Sequence, residues 1–328
     1  MSRLVSATFL VLVSSFTSAA AAAEVNLKAI IQFPRNHTFN VPFFEWIKQV
    51  NANGKGTVQV QFIGGPEAVP VMEQLNALQR GVTDIFFGST SFFDGQVPET
   101  GALNASNRSA PELRAAGGQE LLNKAFHTKA NAQYLGYFGS GYTFHIYLKD
   151  DPKRTPSGGV NLQGLKIRGA SIYRAFYDTQ GAALAPVAPA EVFTALERGV
   201  IDGTGFPNLG LIDLGWEKLL KYRVFPTFWQ GDISLIINAD SWKNLDPKAR
   251  ELIQRTVIDA EKSAHEFFKG EIRKEEAKLK AVGMKDVMQS PEDSKKYTAA
   301  AHGSLWTQLE KRLSKQEVAT LRKTFYRE

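Results

Sequence analysis

From residue 25 onward the apolar and polar positions change period in a regular order. Val25 to Ile31 alternates and closes on two β-branched residues, which predicts a strand. Phe43, Phe44, Ile47 and Val50 then recur at helical spacing, and Asn53-Gly54-Lys55-Gly56 stops that helix. Val58 to Phe62 alternates again, Gly64-Gly65-Pro66 turns the chain, Val71 to Gln79 reads as helix and Val82 to Gly88 as a third strand. This β-α-β-α-β order predicts an α/β lobe on a largely parallel sheet. Ligands of such sheets sit beyond the carboxyl ends of the strands. Further on, Asp246 is a good N-cap and Pro247 suits the first helical position. An apolar stripe from Ala249 through Leu252, Ile253, Val257, Ala260, Ala264 and Phe268 to Ile272 predicts one long helix ending near Gly283. Such a helix exceeds one small lobe and is expected to bridge two.

The pattern also repeats. Leu78-Gln79-Arg80-Gly81-Val82-Thr83-Asp84 returns 118 residues later as Leu196-Glu197-Arg198-Gly199-Val200-Ile201-Asp202. Each copy reads as a helix ended by a C′ glycine and reversed into a strand. The period is too long for a solenoid, so two lobes of similar build explain it better. The expected division is a leader over 1–23, a first lobe from 24–147 with 236–273, and a second from 148–235 with 274–328.

Composition narrows the class. Of 328 residues, 43% are hydrophobic and 22% charged, as in a globular protein. There is no Cys, which removes thiol catalysis, thiolate metal sites and disulfides. Met1 to Ala23 carries one base, Arg3, then an apolar run, then Ala19 to Ala23 before Glu24. That reads as a cleaved secretory signal, too short and too broken by serines to span a membrane, and places the mature protein in the periplasm. Net charge is +6, or +5 without Arg3, but bases and acids interleave, as in Arg273-Lys274-Glu275-Glu276. Interleaving marks a solvated helix face rather than a nucleic-acid surface.

No catalytic motif stands out. His37, His127, His145, His265 and His302 lack metal-ligand spacing, and neither a P-loop nor a G-x-S-x-G elbow is present. We expect no enzyme, no cofactor and no metal. What remains is an anion site. Leu165-Lys166-Ile167-Arg168 reads as a short strand turned by Gly169-Ala170, with Ser171 as N-cap of a helix over 172–179. Arg168 beside that helix start would pair a bidentate cation with free backbone donors. Aromatic residues (Phe86, Phe87, Phe92, Phe93, Phe206, Phe225, Phe228, Trp229) crowd the segments near the expected cleft. Those in loops after strands are candidate ligand walls.

Asn161 to Arg168, and Ala190-Glu191-Val192-Phe193-Thr194-Ala195-Leu196 through Gly199-Val200-Ile201-Asp202-Gly203, carry a family likeness. They resemble the D-L-K-G-L-K-I-R and S-E-V-Y-T-A-L-Q-T-G-V-V-D-G segments of the DctP-like solute-binding proteins of TRAP (tripartite ATP-independent periplasmic) transporters. Gly81 to Asp84 and Trp242-Lys243-Asn244-Leu245 are similar to further segments of that family. The resemblance implies two α/β lobes closing on an organic acid, a ligand cleft between them, a long bridging helix and delivery to TRAP membrane permease subunits. It also implies that Arg168 clamps the ligand carboxylate. Two departures matter. Phe206 stands where the family's D-G-Q-E-N-P has Asn, and Gly141-Tyr142-Thr143-Phe144-His145 lacks the second arginine many members carry. A monocarboxylate is therefore the expected ligand, with an apolar or aromatic body or, if Phe206 points into the lobe core, a small hydroxy or keto acid such as lactate or pyruvate. Together these readings nominate Gln32, Ser89, Thr90, Phe92, Thr143, His145, Arg168, Ser171, Phe206, Trp229 and Asp232 as ligand-binding. The protein is expected to be a monomer. The alternatives are the receptor of another importer class and a periplasmic enzyme on the same lobes.

Overall fold

The computed structural model describes residues 24–327; the expected leader lies outside them. The alternating run forms β1 (Val25–Ile31), followed by α1 (Val41–Asn53), β2 (Val58–Gly64), α2 (Gln74–Gln79) and β3 (Ile85–Ser89). Three helices, α3 (Gly101–Ala105), α4 (Ala110–Ala115) and α5 (Gly118–Ala130), lead to β4 (Ala132–Tyr137). The chain then crosses to a second sheet. It contributes β5 (Thr143–Leu148), β6 (Lys166–Arg168), α6 (Arg174–Thr179), β7 (Ala183–Ala185), α7 (Val192–Glu197), β8 (Gly203–Pro207), β9 (Tyr222–Val224) and β10 (Phe228–Gln230). It returns as β11 (Ile233–Asn238) and α8 (Ala239–Asn244), and continues with α9 (Pro247–Ala281), β12 (Lys285–Val287), α10 (Pro291–Glu310) and α11 (Lys315–Phe325). Among the described residues no helix is long and apolar enough to cross a membrane.

The two sheets run β2-β1-β3-β11-β4 and β12-β9-β5-β8-β6-β7, with β10 on β5. Both are mixed, which corrects the expected largely parallel sheet. β1 pairs in parallel with β2 and β3, but β11 lies antiparallel to both β3 and β4. A strand arriving from the other lobe needs no crossover helix to enter antiparallel.

Two adjacent segments, 138–142 and 231–232, carry the chain between the sheets, and they are stitched together. Phe138 N and Gly139 N donate to Ile233 O, and Gly231 N donates to Tyr142 O at 3.0 Å. Glycine is required there. A Cβ on Gly139 would lie 2.5 Å from Asp232 N, and one on Gly231 would lie 2.0 Å from the Tyr142 ring.

The third connection is α9. Asp246 caps it by accepting from Ala249 N at 2.8 Å, and Gly283, at φ 83°, follows its end. Its 35 residues span about 52 Å at 1.5 Å each. Its N-terminal half lies on the first lobe, where Trp46 Nε1 donates to Thr256 Oγ1 at 3.1 Å. Its C-terminal half reaches the second, where Glu275 accepts from Ile212 N at 3.0 Å. The helix α10 also touches both sides: Gln308 Nε2 donates to Ile172 O, and Leu309 lies against Gly101. The C-terminal α11 rests on α3 and α5, where Ser106 Oγ donates to Phe325 O.

The repeated heptapeptide forms the same corner twice. Gly81 and Gly199 both take left-handed φ, 70° and 69°. Val82 N donates to Ala77 O, and Val200 N to Ala195 O, each at 2.9 Å. Asp84 N then donates to Lys28 O while the Asp84 carboxylate accepts from Lys28 N at 2.7 Å. Asp202 repeats both bonds with Lys166, the second again at 2.7 Å. The Gly ends the helix and the Asp locks the next strand to its parallel neighbour, so the pattern G-x-x-D has a separate reason for each fixed residue.

Candidate functional site

The carboxyl ends of β3, β6 and β8 converge with the two crossing segments on one small cavity. Its volume is about 40 Å³. That is room for about three waters, so any larger ligand requires the lobes to part.

Arg168, the last residue of β6, lines this cavity and is 3% exposed. Its Nε donates to Val187 O at 2.8 Å, but Nη2 has no partner among the described residues. Among the described residues no carboxylate lies within ion-pair distance of it. Burial pulls its pKa below the usual arginine range, with the hydroxyls of Tyr173 and Tyr177 opposing the shift. The guanidinium lies over the Trp216 ring at 5.8 Å, and Phe206 packs on the same indole at 4.7 Å. A guanidinium withdrawn from water without a counter-ion is costly, and the cost is recovered when an anion enters.

Opposite in charge, Asp232 sits on the returning crossing segment and also lines the cavity. It is 1% exposed. One oxygen, Oδ2, accepts from Ser89 Oγ at 2.8 Å and from Ser91 N and Ser91 Oγ at 2.6 Å each. Thr90 Oγ1 is farther, at 3.4 Å. The other oxygen, Oδ1, has no partner among the described residues. Burial raises the Asp232 pKa, and the serine donors oppose that rise.

The aromatic wall is positioned by glycines. A Cβ on Gly205 would lie 2.4 Å from the Tyr173 ring, and one on Gly169 would lie 2.9 Å from it. Tyr173 is thus wedged between the ends of β6 and β8. Tyr142, Phe144, Phe33 and Phe39 complete the lining with Phe92 and Phe206.

Of the nominated residues, the structure gathers Arg168, Asp232, Ser89, Phe92 and Phe206 at the cavity. Gln32, Thr90, Thr143, His145, Ser171 and Trp229 are not in its lining. Gln32 spends both ends of its amide on the Ser89 backbone, at 2.8 and 3.0 Å. Thr143 pairs through its backbone with Asn208. His145 takes the other face of β5 because strand side chains alternate, and Phe144 faces the cavity instead. There His145 Nδ1 donates to Val224 O at 2.9 Å, since a carbonyl can only accept. Trp229 stands behind Tyr173 at 4.9 Å, its Nε1 donating to Ala301 O. The expected cap at Ser171 does not form. Ala170 occupies the cap position of a short 3-10 turn, and the Ser171 hydroxyl donates across the cleft to Asp94 Oδ1.

Tyr142, Tyr173 and Ser91 line the site without having been nominated. The signal for Tyr173 lay in Gly169 and Gly205, two small residues facing one ring. Among the described residues no three His, Asp or Glu side chains cluster as metal ligands.

A cavity at strand ends, shut between two α/β lobes joined by crossing strands and a bridging helix, defines a two-lobed solute-binding protein. The family model of bacterial extracellular solute-binding proteins, family 7 (DctP), matches residues 33–312. The chain belongs to that family. It is 26% identical over 278 residues to a solute-binding protein of Verminephrobacter eiseniae, covering 81% of this chain and 80% of that one. It is 22% identical over 227 residues to a monocarboxylate 2-oxoacid-binding periplasmic protein of Nostoc, covering 65% of this chain and 60% of the other. Among solved structures, a TRAP periplasmic solute-binding protein from Desulfovibrio desulfuricans with bound sn-glycerol-3-phosphate superposes with TM-score 0.80. That likeness covers 92% of this chain and 96% of the other at 20% identity.

Proposed function

We propose that this protein is the periplasmic receptor of a TRAP transporter, closing its lobes on a small monocarboxylate and presenting it to the membrane permease subunits. The observation that carries the reading is the buried Arg168, which lines the cavity with its Nη2 lacking a counter-ion. The ligand carboxylate takes that position, and the rings of Phe206, Tyr173 and Phe144 take an apolar body. Burying a ring there gains roughly 25 cal/mol per Å² of apolar area. Among the described residues no other Arg or Lys lines the cavity, so a second carboxylate would enter unpaired. The bound relatives differ in ligand, so the monocarboxylate rests on this chain's own lining.

Titration calorimetry with aryl monocarboxylates, short aliphatic monocarboxylates and C4-dicarboxylates tests this. Arg168→Ala should weaken the best acid by about 2–5 kcal/mol, and Arg168→Lys should also weaken it because the fork is lost. Near-wild-type affinity in the alanine variant, or a dicarboxylate binding while monocarboxylates do not, would overturn the reading. Recovery of the ligand chemically unchanged separates a receptor from an enzyme on the same lobes.

A further inference from the structure

Arg168 and Asp232 line one cavity without pairing: no ion pair within 4.0 Å joins them, and each keeps one polar atom unmet. The two unmet atoms have opposite demands. Arg168 Nη2 needs an acceptor, while Asp232 Oδ1 needs a donor. The carboxylate is also not free to turn away, because Oδ2 is held by three donors from Ser89 and Ser91. Among the other polar lining groups, Ser91 is already spent on Oδ2, and neither the Tyr142 hydroxyl, which accepts from Asp232 N, nor the Tyr173 hydroxyl makes a hydrogen bond to Oδ1. Among the described residues no group answers Oδ1.

We infer that the ligand carries, beside the carboxylate that meets Arg168, one O–H or N–H donor that meets Asp232 Oδ1. This rests on the carboxylate reading of Arg168 and sharpens it to hydroxy or amino monocarboxylates. The same geometry rejects neighbours of similar size. A 2-oxo acid turns a carbonyl oxygen toward Oδ1, and a dicarboxylate turns a second anion toward it. Both leave acceptor facing acceptor beside a carboxylate that is 1% exposed, where the mismatch is expensive.

The test uses two matched sets in one calorimetric assay on the full chain. One is propanoate with its 2-hydroxy, 2-amino and 2-oxo forms; the other is 3-phenylpropanoate with the same substituents. At least one donor acid should bind about tenfold or more tighter than the unsubstituted and 2-oxo acids of its set. Whether hydroxy or amino leads identifies the donor. Asp232→Asn turns the residue's free end from acceptor to donor, because its oxygen can still take the Ser89 and Ser91 hydrogens. The variant should therefore lose the donor acids about tenfold and bring the 2-oxo acid level with or ahead of them. Should it fail to fold, the wild-type ranking decides alone. The inference is overturned if the unsubstituted or 2-oxo acid binds as tightly as both donor acids while Arg168→Ala still abolishes binding. If no acid binds, or binding survives Arg168→Ala, the Arg168 reading itself fails and takes this one with it.

Discussion

Two buried histidines, His37 and His145, each withdraw stability as the pH falls. Burial lowers the His145 pKa to about 3, against a smaller favourable bond to Val224 O. It lowers His37 to about 4, opposed by nearby Asp213 and by the Gly210 backbone. His37 Nδ1 accepts from Phe39 N at 3.2 Å, so that nitrogen carries no proton and its 3.7 Å approach to Asp213 is not an ion pair. Each histidine is neutral when folded and free to protonate near 6.5 when unfolded. The unfolded chain therefore binds more protons at lower pH, and stability present above 6.5 is lost as pH falls toward 4. At pH 4.5 the loss from His145 is about 2–3 kcal/mol. Melting curves between pH 7.5 and 4.5 should show the decline, and His145→Gln should flatten it; an unchanged slope in that variant would refute the assignment. At this scale the sequence was partly legible. Arg168 could be nominated because a cation at a strand end is a local feature. Phe144 could not be told from His145, because alternation fixes that one of them faces the cleft but not which. Tyr173 was hidden because its place depends on Gly169 and Gly205, 36 residues apart in the chain.

The repeated corner is the element that binds sequence to fold most directly. A Cβ on Gly81 or Gly199 would meet nothing within 4 Å, so replacing either glycine costs only backbone strain. Gly199→Ala should destabilise by about 1 kcal/mol, and Gly199→Asn by less, because Asn tolerates the left-handed region. Chemical denaturation checks this, and an unchanged midpoint for the alanine variant would show that the corner relaxes elsewhere. Strand β1, the cores of β2 and β3, and the cap and end of α9 were all readable, since each rests on a local period with a stop signal. Strand β6 was read from the Gly169-Ala170 turn that ends it, but the equally short β7, β9, β10 and β12 show no period. The antiparallel entry of β11 was unreadable for another reason: its partners in β3 and β4 lie about a hundred residues or more upstream, and no local pattern records them.

At the scale of the whole molecule, the lobes meet through small residues and polar clasps at the cleft. Thr38 N, on the first lobe, donates to Asp213 Oδ2 at 2.7 Å, and the His37 ring lies against Gly210, where a Cβ would approach within 2.4 Å. Gly210 also holds φ 92°, so side chains there are disfavoured twice. Gly210→Val should hold the lobes apart and weaken acid binding about tenfold or more while leaving Arg168 in place. Small-angle scattering should then show ligand-induced contraction in the wild type and little in the variant; equal contraction in both would dismiss the clasp. The crossing segments carry a different consequence, for the order in which the chain can become a protein. Strand β11, inside the first sheet, is made only after the whole of β5 to β10, and it lies between strands that end as early as Ser89 and Tyr137. A chain emerging from its amino end therefore holds β3 and β4 as unclosed edges until Asn238 has followed. For most of its synthesis neither lobe can seal its core, and the first sheet stays open until late.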